Sequence, residues 1–302
     1  MDRADEVAGP QVKVMYVLPS DGPDRQLDQN RALATSVESW TRWVERASGG
    51  QRLRLDTYQG ALDIAFYRLP RTDADVSSFG IAAIDEIQAS ISAAGYNSPS
   101  KIYAVYYGGN NMLHCGQSLR SGGQAIAGAF LEARPAAFAP CLQQTVPTNR
   151  TPGLTTSPDT PGYWEFVMAH EVFHMLGAVP SCAPHFSSGT HVNDSPTDLM
   201  GVFTRPGVAP DDPAVRWNPS VIDFNRDDYY RHGRACPDVA QSAFLTPAMA
   251  SVAEPSTAVA AISPALTSPA SADESVCVMA PSPTLVHAAI RQAPLSSKQG
   301  TH

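Results

Sequence analysis

The pattern of apolar and polar positions alternates between strand and helix periods through the first part of the chain. Strands are predicted where β-branched and aromatic residues cluster, and helices where apolar residues recur three and four positions apart. The predicted strands are 11–18, 53–58, 64–69, 101–109 and 125–131, and the predicted helices are 29–47, 75–94 and 163–176. This order, β, α, β, β, α, β, β, α, predicts an α/β (α+β) fold with a mostly parallel or mixed sheet. Gly128, inside the last strand, is a candidate bulge.

Periodicity weakens after the third helix. Residues 178–245 are rich in Pro, Gly, Asp and Ser, which predicts an irregular lower half. Residues 246–302 contain no aromatic residue and are dominated by Ala, Ser, Pro and Thr. Such a segment has too little bulky apolar surface to offset the entropy of ordering it, so we expect a disordered tail. The predicted organisation is one domain over 1–245 and a tail over 246–302.

Composition narrows the classes of function. The chain has 302 residues, of which 43% are hydrophobic, and this is enough for a substantial core. A net charge of -8 argues against nucleic acid as a partner. No apolar run approaches the roughly 18 residues of a membrane span. The first ten residues are charged and lack the apolar segment of a secretion signal, so either the protein is not exported by that route or the signal lies upstream of Met1.

The cysteine pattern indicates disulfides rather than a cysteine-ligated metal. The five cysteines are Cys115, Cys141, Cys182, Cys236 and Cys277, and none lies in a CxxC pair. Four of them fall within the predicted domain, near loop residues, and we predict the pairs Cys115–Cys141 and Cys182–Cys236. The alternative is small buried thiols. Disulfides would indicate an oxidising compartment.

The most specific chemical signal lies in the third predicted helix. The run from His170 to His174, HEVFH, matches HExxH. Residues four apart share a helix face, so both imidazoles can reach one zinc ion, and Glu171 can act as general base toward a water there. The surrounding helix is apolar, and burying these polar groups would be costly without a metal. The alternative is a structural helix whose histidines hydrogen-bond to backbone carbonyls.

The segment from His170 to Gly201 resembles a known group of enzymes. HEVFHMLG, which ends at Gly177, looks like the start of the metzincin signature, HExxHxxGxxH or HExxHxxGxxD, of small secreted bacterial zinc endopeptidases. The run from Asp198 to Gly201, DLMG, resembles their methionine turn, with Met200 as its methionine. The resemblance implies a zincin-like mixed, twisted sheet, an active-site helix, an irregular C-terminal half and Zn2+ as cofactor.

One position departs from the signature. The third ligand should stand three residues after the glycine, and that residue is Pro180, which cannot bind zinc. The candidates farther along are His185, His191 and Asp194. We choose His185, the nearest imidazole, which a neighbouring disulfide and proline would hold stiffly. His191 is the next choice, and Asp194 could instead accept a hydrogen bond from a ligand histidine.

The leading prediction from the sequence is a secreted zinc endopeptidase that acts as a monomer on peptide or protein substrates. Its predicted site is His170, His174 and His185 as zinc ligands with Glu171 as base. No nucleic-acid partner and no membrane span are expected. One alternative is a zinc amidase acting on small or cell-wall substrates. Another is a non-catalytic binding protein with a structural zinc, which would need four protein ligands and no open position.

Overall fold

The computed structural model describes residues 2–136, 140–201, 217–247 and 277–279, and the fold is mixed α and β as predicted. The strands are β1 (Gln11–Leu18), β2 (Thr57–Tyr58), β3 (Ala61–Leu62), β4 (Ile64–Arg68), β5 (Lys101–Tyr107), β6 (Gly116–Ser121), β7 (Gln124–Phe130), β8 (Phe186–Ser187), β9 (His191–Val192) and β10 (Cys277–Met279). The helices are α1 (Ala32–Ser48), α2 (Asp73–Ser78), α3 (Ala83–Ala93) and α4 (Tyr163–Met175). Short 3-10 turns cover Gly80–Ala82, Cys141–Gln143, Phe224–Arg226 and Val239–Gln241.

One mixed sheet organises the fold. Its strand order is β10-β6-β7-β5-β1-β4. Strands β4, β1, β5 and β7 run parallel, whereas β6 is antiparallel to β7 and β10 is antiparallel to β6. Every residue of β1, β5 and β7 is buried, as expected for strands that helices cover on both faces. The antiparallel pair at one side of the sheet lies next to α4.

Two local predictions are wrong for identifiable reasons. The single helix predicted over 75–94 is split into α2, a 3-10 turn and α3, because Gly80 adopts a φ of +57°. Gly128 is not a bulge, because it pairs in register with both Val105 and Gln117. A β-carbon at this position would lie 2.7 Å from Cδ1 of Ile84, so a larger residue would displace that side chain.

The two predicted disulfides are confirmed. Cys115 is bonded to Cys141, and Cys182 to Cys236. The second bond joins the chain just beyond α4 to the segment that follows the turn over 198–201. None of the described helices is both long and apolar enough to cross a membrane.

The predicted tail lies almost entirely outside the described residues. Within it, Cys277–Met279 forms β10, which pairs with β6 and so departs from the disorder predicted for these three residues. The division into a domain over 1–245 and a tail over 246–302 stays a prediction. The composition of the tail did not reveal this strand, because edge pairing uses backbone groups that every sequence carries.

Candidate metal centre

Helix α4 brings His170, Glu171 and His174 into the interior. The helix begins after Gly162, whose N–H donates to the Glu165 carboxylate at 2.9 Å. All of its residues except Tyr163 are buried, because the helix packs against the sheet on one side and α1 on the other. Its apolar residues therefore fix the helix, and the polar motif residues are carried into the core with them.

The chain turns sharply where α4 ends. Gly177 has a φ of +89°, a left-handed conformation that favours glycine. The N–H groups of Gly177 and Ala178 donate to the carbonyls of His174 and Phe173, both at 3.0 Å. This cap satisfies the last carbonyls of the helix and sends the chain back along the site. The returning chain forms the β8–β9 hairpin, whose second strand carries His191.

Three imidazoles meet at one point. Nε2 of His174 lies 2.9 Å from Nε2 of His170, and Nε2 of His191 lies 3.2 Å from the same atom. All three side chains are buried, and their nitrogen atoms are close enough together to hold one metal ion. The structure therefore brings His191 to His170 and His174.

Hydrogen bonds on the far side of two rings set their tautomers. Nδ1 of His170 donates to the Leu199 carbonyl at 2.7 Å, and Nδ1 of His191 donates to the Ser188 carbonyl at 3.1 Å. Because a carbonyl only accepts, each Nδ1 carries the proton and each Nε2 presents a lone pair. Metal-binding histidines in proteins are generally oriented by such outer contacts.

His174 is held in a similar way by a hydroxyl group. The Thr190 hydroxyl donates to the Gly189 carbonyl at 2.7 Å, so its oxygen is available to accept from Nδ1 of His174, which lies 3.1 Å away. Burial lowers the pKa of His170 and of His174 well below the ordinary value, and the neighbouring imidazoles lower both further. Burial also lowers the pKa of His191. The three rings are therefore neutral near pH 7, the state in which imidazole binds metals.

The turn from Asp198 to Gly201 supports His170. The Asp198 carboxylate accepts from the backbone N–H groups of Met200 and Phe224, both at 2.7 Å, and from the Tyr229 hydroxyl at 2.8 Å. These bonds fix the Leu199 carbonyl against the His170 ring. Met200 is completely buried. Burial raises the pKa of Asp198 well above its ordinary value.

Glu171 lies between α4 and the sheet. It is completely buried, and a β-carbon added at Gly116 would lie 2.6 Å from its Oε1 atom. Glycine at the start of β6 is therefore what leaves room for this carboxylate. Gly116 is also the residue that pairs with Met279 of β10. The candidate base thus adjoins the strand that would be the edge of the sheet without β10.

His185 is not brought to the other two predicted ligands. Its Nδ1 lies 3.0 Å from Oδ2 of Asp228, and its backbone N–H donates to Oδ1 of the same carboxylate at 2.8 Å. This hydrogen bond raises the pKa of His185. Asp194 also lies in this second group. The disulfide at Cys182 and the adjacent proline therefore hold His185 near Asp228, and not near the His170 ring.

The sequence did carry a signal for the hairpin that delivers His191. Ser188-Gly189 is a dipeptide typical of turns, and Thr190 to Val192 follows with β-branched residues. Gly189 and Thr190 both have positive φ angles, of 71° and 56°. Strands of two residues are too short to produce a periodic pattern, so the hairpin is not predicted from the periodicity of the sequence. Without the hairpin, the nearest imidazole along the chain, that of His185, is the natural choice of ligand.

The donor set fits a zinc ion. Three neutral imidazoles direct nitrogen lone pairs at one point, and among the described residues no fourth His, Cys, Asp or Glu belongs to this group. Three nitrogen ligands and one remaining position are the arrangement of catalytic zinc sites, whereas structural sites use four protein ligands. The group can therefore bind a metal with a position left for water or substrate.

Comparisons with known proteins add little to this description. No protein-family model matches the chain, and no curated protein matches it. Two solved structures of OgpA from Akkermansia muciniphila are similar at 16% sequence identity. The wild-type structure has a TM-score of 0.35 and the alignment covers 72% of this chain and 65% of that one. The catalytically inactive form, in complex with an O-glycopeptide substrate, has a TM-score of 0.33, with 72% and 64% covered. The chain thus spans less than two thirds of OgpA.

Proposed function

We propose that this protein is a zinc-dependent hydrolase, and specifically a secreted endopeptidase. The observation that carries the proposal is the convergence of three Nε2 atoms, from His170, His174 and His191, beside a buried glutamate one residue along the same helix. The two disulfides support an oxidising, extracellular location. His191 replaces His185 as the proposed third ligand.

The residues divide the chemistry between them. His170, His174 and His191 would hold zinc, which when bound lowers the pKa of water and polarises a carbonyl group. Glu171 takes a proton from the attacking water as general base, and it can then return that proton to the departing amine. The carbonyls of Leu199 and Ser188 keep two of the rings in the tautomer that the metal requires.

Strand β10 covers the backbone edge of β6 in this structure, and without β10 that edge would be open to an extended peptide. Strand β6 is antiparallel to β7 and its first residue, Gly116, lies against Glu171. A peptide that added as a strand to β6 would run past the candidate base, and this mode of binding uses main-chain hydrogen bonds. This argument favours a peptide substrate over the alternative of a small or cell-wall amide.

A structural zinc is the less favoured alternative. A structural site would need a fourth protein ligand, and the described residues group only three histidines at this point. A purely structural site also gives no reason to bury a glutamate next to His170. The proposal therefore rests on Glu171 as much as on the ligands.

The test is to replace Glu171 with glutamine. We expect Glu171→Gln to retain zinc and to lose hydrolysis of casein or gelatin by at least about 10²–10⁴-fold, because only the proton acceptor is removed. The matched control is Glu38→Gln on the exposed side of α1, which should leave the rate unchanged. Normal turnover by Glu171→Gln would refute the proposed role. If the wild-type protein binds zinc and cleaves a small or cell-wall amide but no protein substrate, the amidase is favoured.

A further inference from the structure

A second group of metal-binding side chains lies beside the hairpin that carries His191. It consists of His185, Asp194, Asp227 and Asp228, whose ligand atoms all lie within 4.8 Å of one another. Nδ1 of His185 is 3.0 Å from the Asp228 carboxylate, 3.8 Å from Asp194 and 3.9 Å from Asp227. None of these four residues belongs to the centre on α4.

Asp194 has no hydrogen-bond partner that would explain its position. Both of its carboxylate oxygens are buried and accept no hydrogen bond, and only 10% of its side chain is exposed. The Oδ1 atom of Asp227 is also buried and accepts no hydrogen bond. An unsatisfied buried carboxylate is costly, and the usual compensation is a positive partner or a metal ion.

The positive charges nearby do not balance this group. Among the residues that the structure describes, the positive groups on it are His185 and Arg234, and Arg234 approaches only Asp227, at 3.9 Å, with half of its side chain exposed. Within this described part of the chain, three carboxylates therefore face at most two positive charges.

The other carboxylate cluster among the described residues shows what a balanced group looks like. Asp2, Asp56 and Asp63 also lie close enough together to hold a metal. There, however, the ammonium groups of Lys13 and Lys101 lie among the carboxylates and ion-pair with them. No lysine has this position in the group around His185, within the described part of the chain.

We propose that His185, Asp194, Asp227 and Asp228 bind a second divalent cation, of the zinc class, that anchors the hairpin bearing His191. One imidazole and three carboxylates give four protein donors, the number that a closed structural zinc site uses. The nitrogen donor favours zinc or manganese over calcium, which prefers oxygen ligands alone.

The location of the group explains what the ion would do. His185 and Asp194 flank the β8–β9 hairpin on its two sides, and the N–H of Asn193 donates to the His185 carbonyl at 3.3 Å. Asp227 and Asp228 come from the segment beyond the turn over 198–201. An ion bridging these residues would close the base of the hairpin and hold His191 toward α4. This positioning role rests on the proposed function, whereas binding of the second ion does not.

The experiment counts zinc per chain in the full-length protein after metal stripping, reloading with Zn2+ and desalting. We expect two zinc ions for the wild type and one for Asp194→Asn. Because Asp194 makes no hydrogen bond, this nearly isosteric change should not impair folding. The matched control, Asp159→Asn, replaces an exposed aspartate and should retain two. If the histidine centre fails instead, the wild type binds one zinc and Asp194→Asn none.

Thermal unfolding gives a second readout. Saturating Zn2+ should raise the melting temperature of the wild type by roughly 5 °C more than that of Asp194→Asn. With chelator present, Asp194→Asn should melt no lower than the wild type, because it removes one of three crowded carboxylates. One zinc in both proteins and equal zinc-induced shifts would overturn the proposal. A shift that depends on Asp194 but is produced by Ca2+ and not by Zn2+ or Mn2+ would overturn the assignment of His185 as a ligand.

Discussion

At the scale of single residues, the site depends on which nitrogen of each histidine carries the proton. The carbonyls of Leu199 and Ser188 can only accept, so they fix the proton of His170 and His191 on Nδ1. Both Nε2 atoms then face the centre as lone-pair donors. Burial, which lowers the pKa of the rings, keeps them neutral. The metal-binding state is thus prepared by backbone groups outside the centre.

Substitution of the two competing histidines separates their roles. His191→Ala should abolish hydrolysis, because it removes a nitrogen from the centre. His185→Ala should raise the zinc concentration for half-maximal activity by about 10–100-fold at most, as expected for a residue outside the ligand set. Activity measured in zinc buffers reports on the catalytic ion alone. Normal activity of His191→Ala together with loss in His185→Ala would return the third ligand to His185.

The motif residues could be predicted from sequence and the third nitrogen could not. His170, Glu171 and His174 follow from a four-residue spacing that any helix converts into one face. The choice between His185 and His191 depends on two features. A hairpin with two residues in each strand carries His191 to the centre, and a hydrogen bond to Asp228 holds His185 elsewhere. Asp228 lies 43 residues beyond His185, and a contact of that separation leaves no periodic pattern in the sequence.

At the scale of elements, β6 is the strand that lies against Glu171. Its sequence, GQSLRS, is too polar to suggest a buried strand, yet its first four residues are buried because α4 and β7 cover them. The strand was therefore missed, although β1, β5 and β7 were predicted within two residues at each end from their apolar, β-branched runs. The strands buried on both faces were predictable from local sequence, and the edge of the sheet was not.

The pairing of β10 with β6 leads to a prediction about the tail. A chain ending at Pro247 lacks β10, so the edge next to Glu171 is open to a peptide. We expect this chain to cleave peptides with a lower KM than a chain ending at Met279, which keeps β10 and serves as the control. The comparison is of steady-state kinetics on one unstructured peptide. Equal KM values in the two chains would show that β10 does not compete with substrate.

At the scale of the whole molecule, a buried ion network joins the N-terminus to the sheet. The Lys101 ammonium group hydrogen-bonds to Asp2 and Asp5, both at 2.6 Å, and to Asp56 at 2.7 Å, and its side chain is 2% exposed. Burial alone would lower the pKa of Lys101, but these carboxylates reverse the effect and raise it. The network was not predicted, because its members are scattered over about a hundred residues and form no local pattern.

Removal of the buried Lys101 charge should lower the free energy of unfolding substantially. Lys101→Met keeps the apolar stem and leaves carboxylates without their partner, so we expect a loss of about 3–5 kcal/mol in the free energy of unfolding. Arg42→Met, which breaks ion pairs with Glu38 and Asp159 whose partners are all exposed, should cost less than about 1 kcal/mol. Denaturant unfolding of the three proteins makes the comparison. Equal stabilities of Lys101→Met and the wild type would mean that the network contributes nothing.

We propose that His170, His174 and His191 together hold one zinc ion in an open site beside Glu171. The most direct measurement is anomalous diffraction at the zinc absorption edge from crystals of the zinc-loaded protein. We expect a peak about 2.0–2.1 Å from all three Nε2 atoms, with no fourth protein ligand. Absence of a peak at this point, or a zinc bound by His170 and His174 with a ligand other than His191, would contradict it.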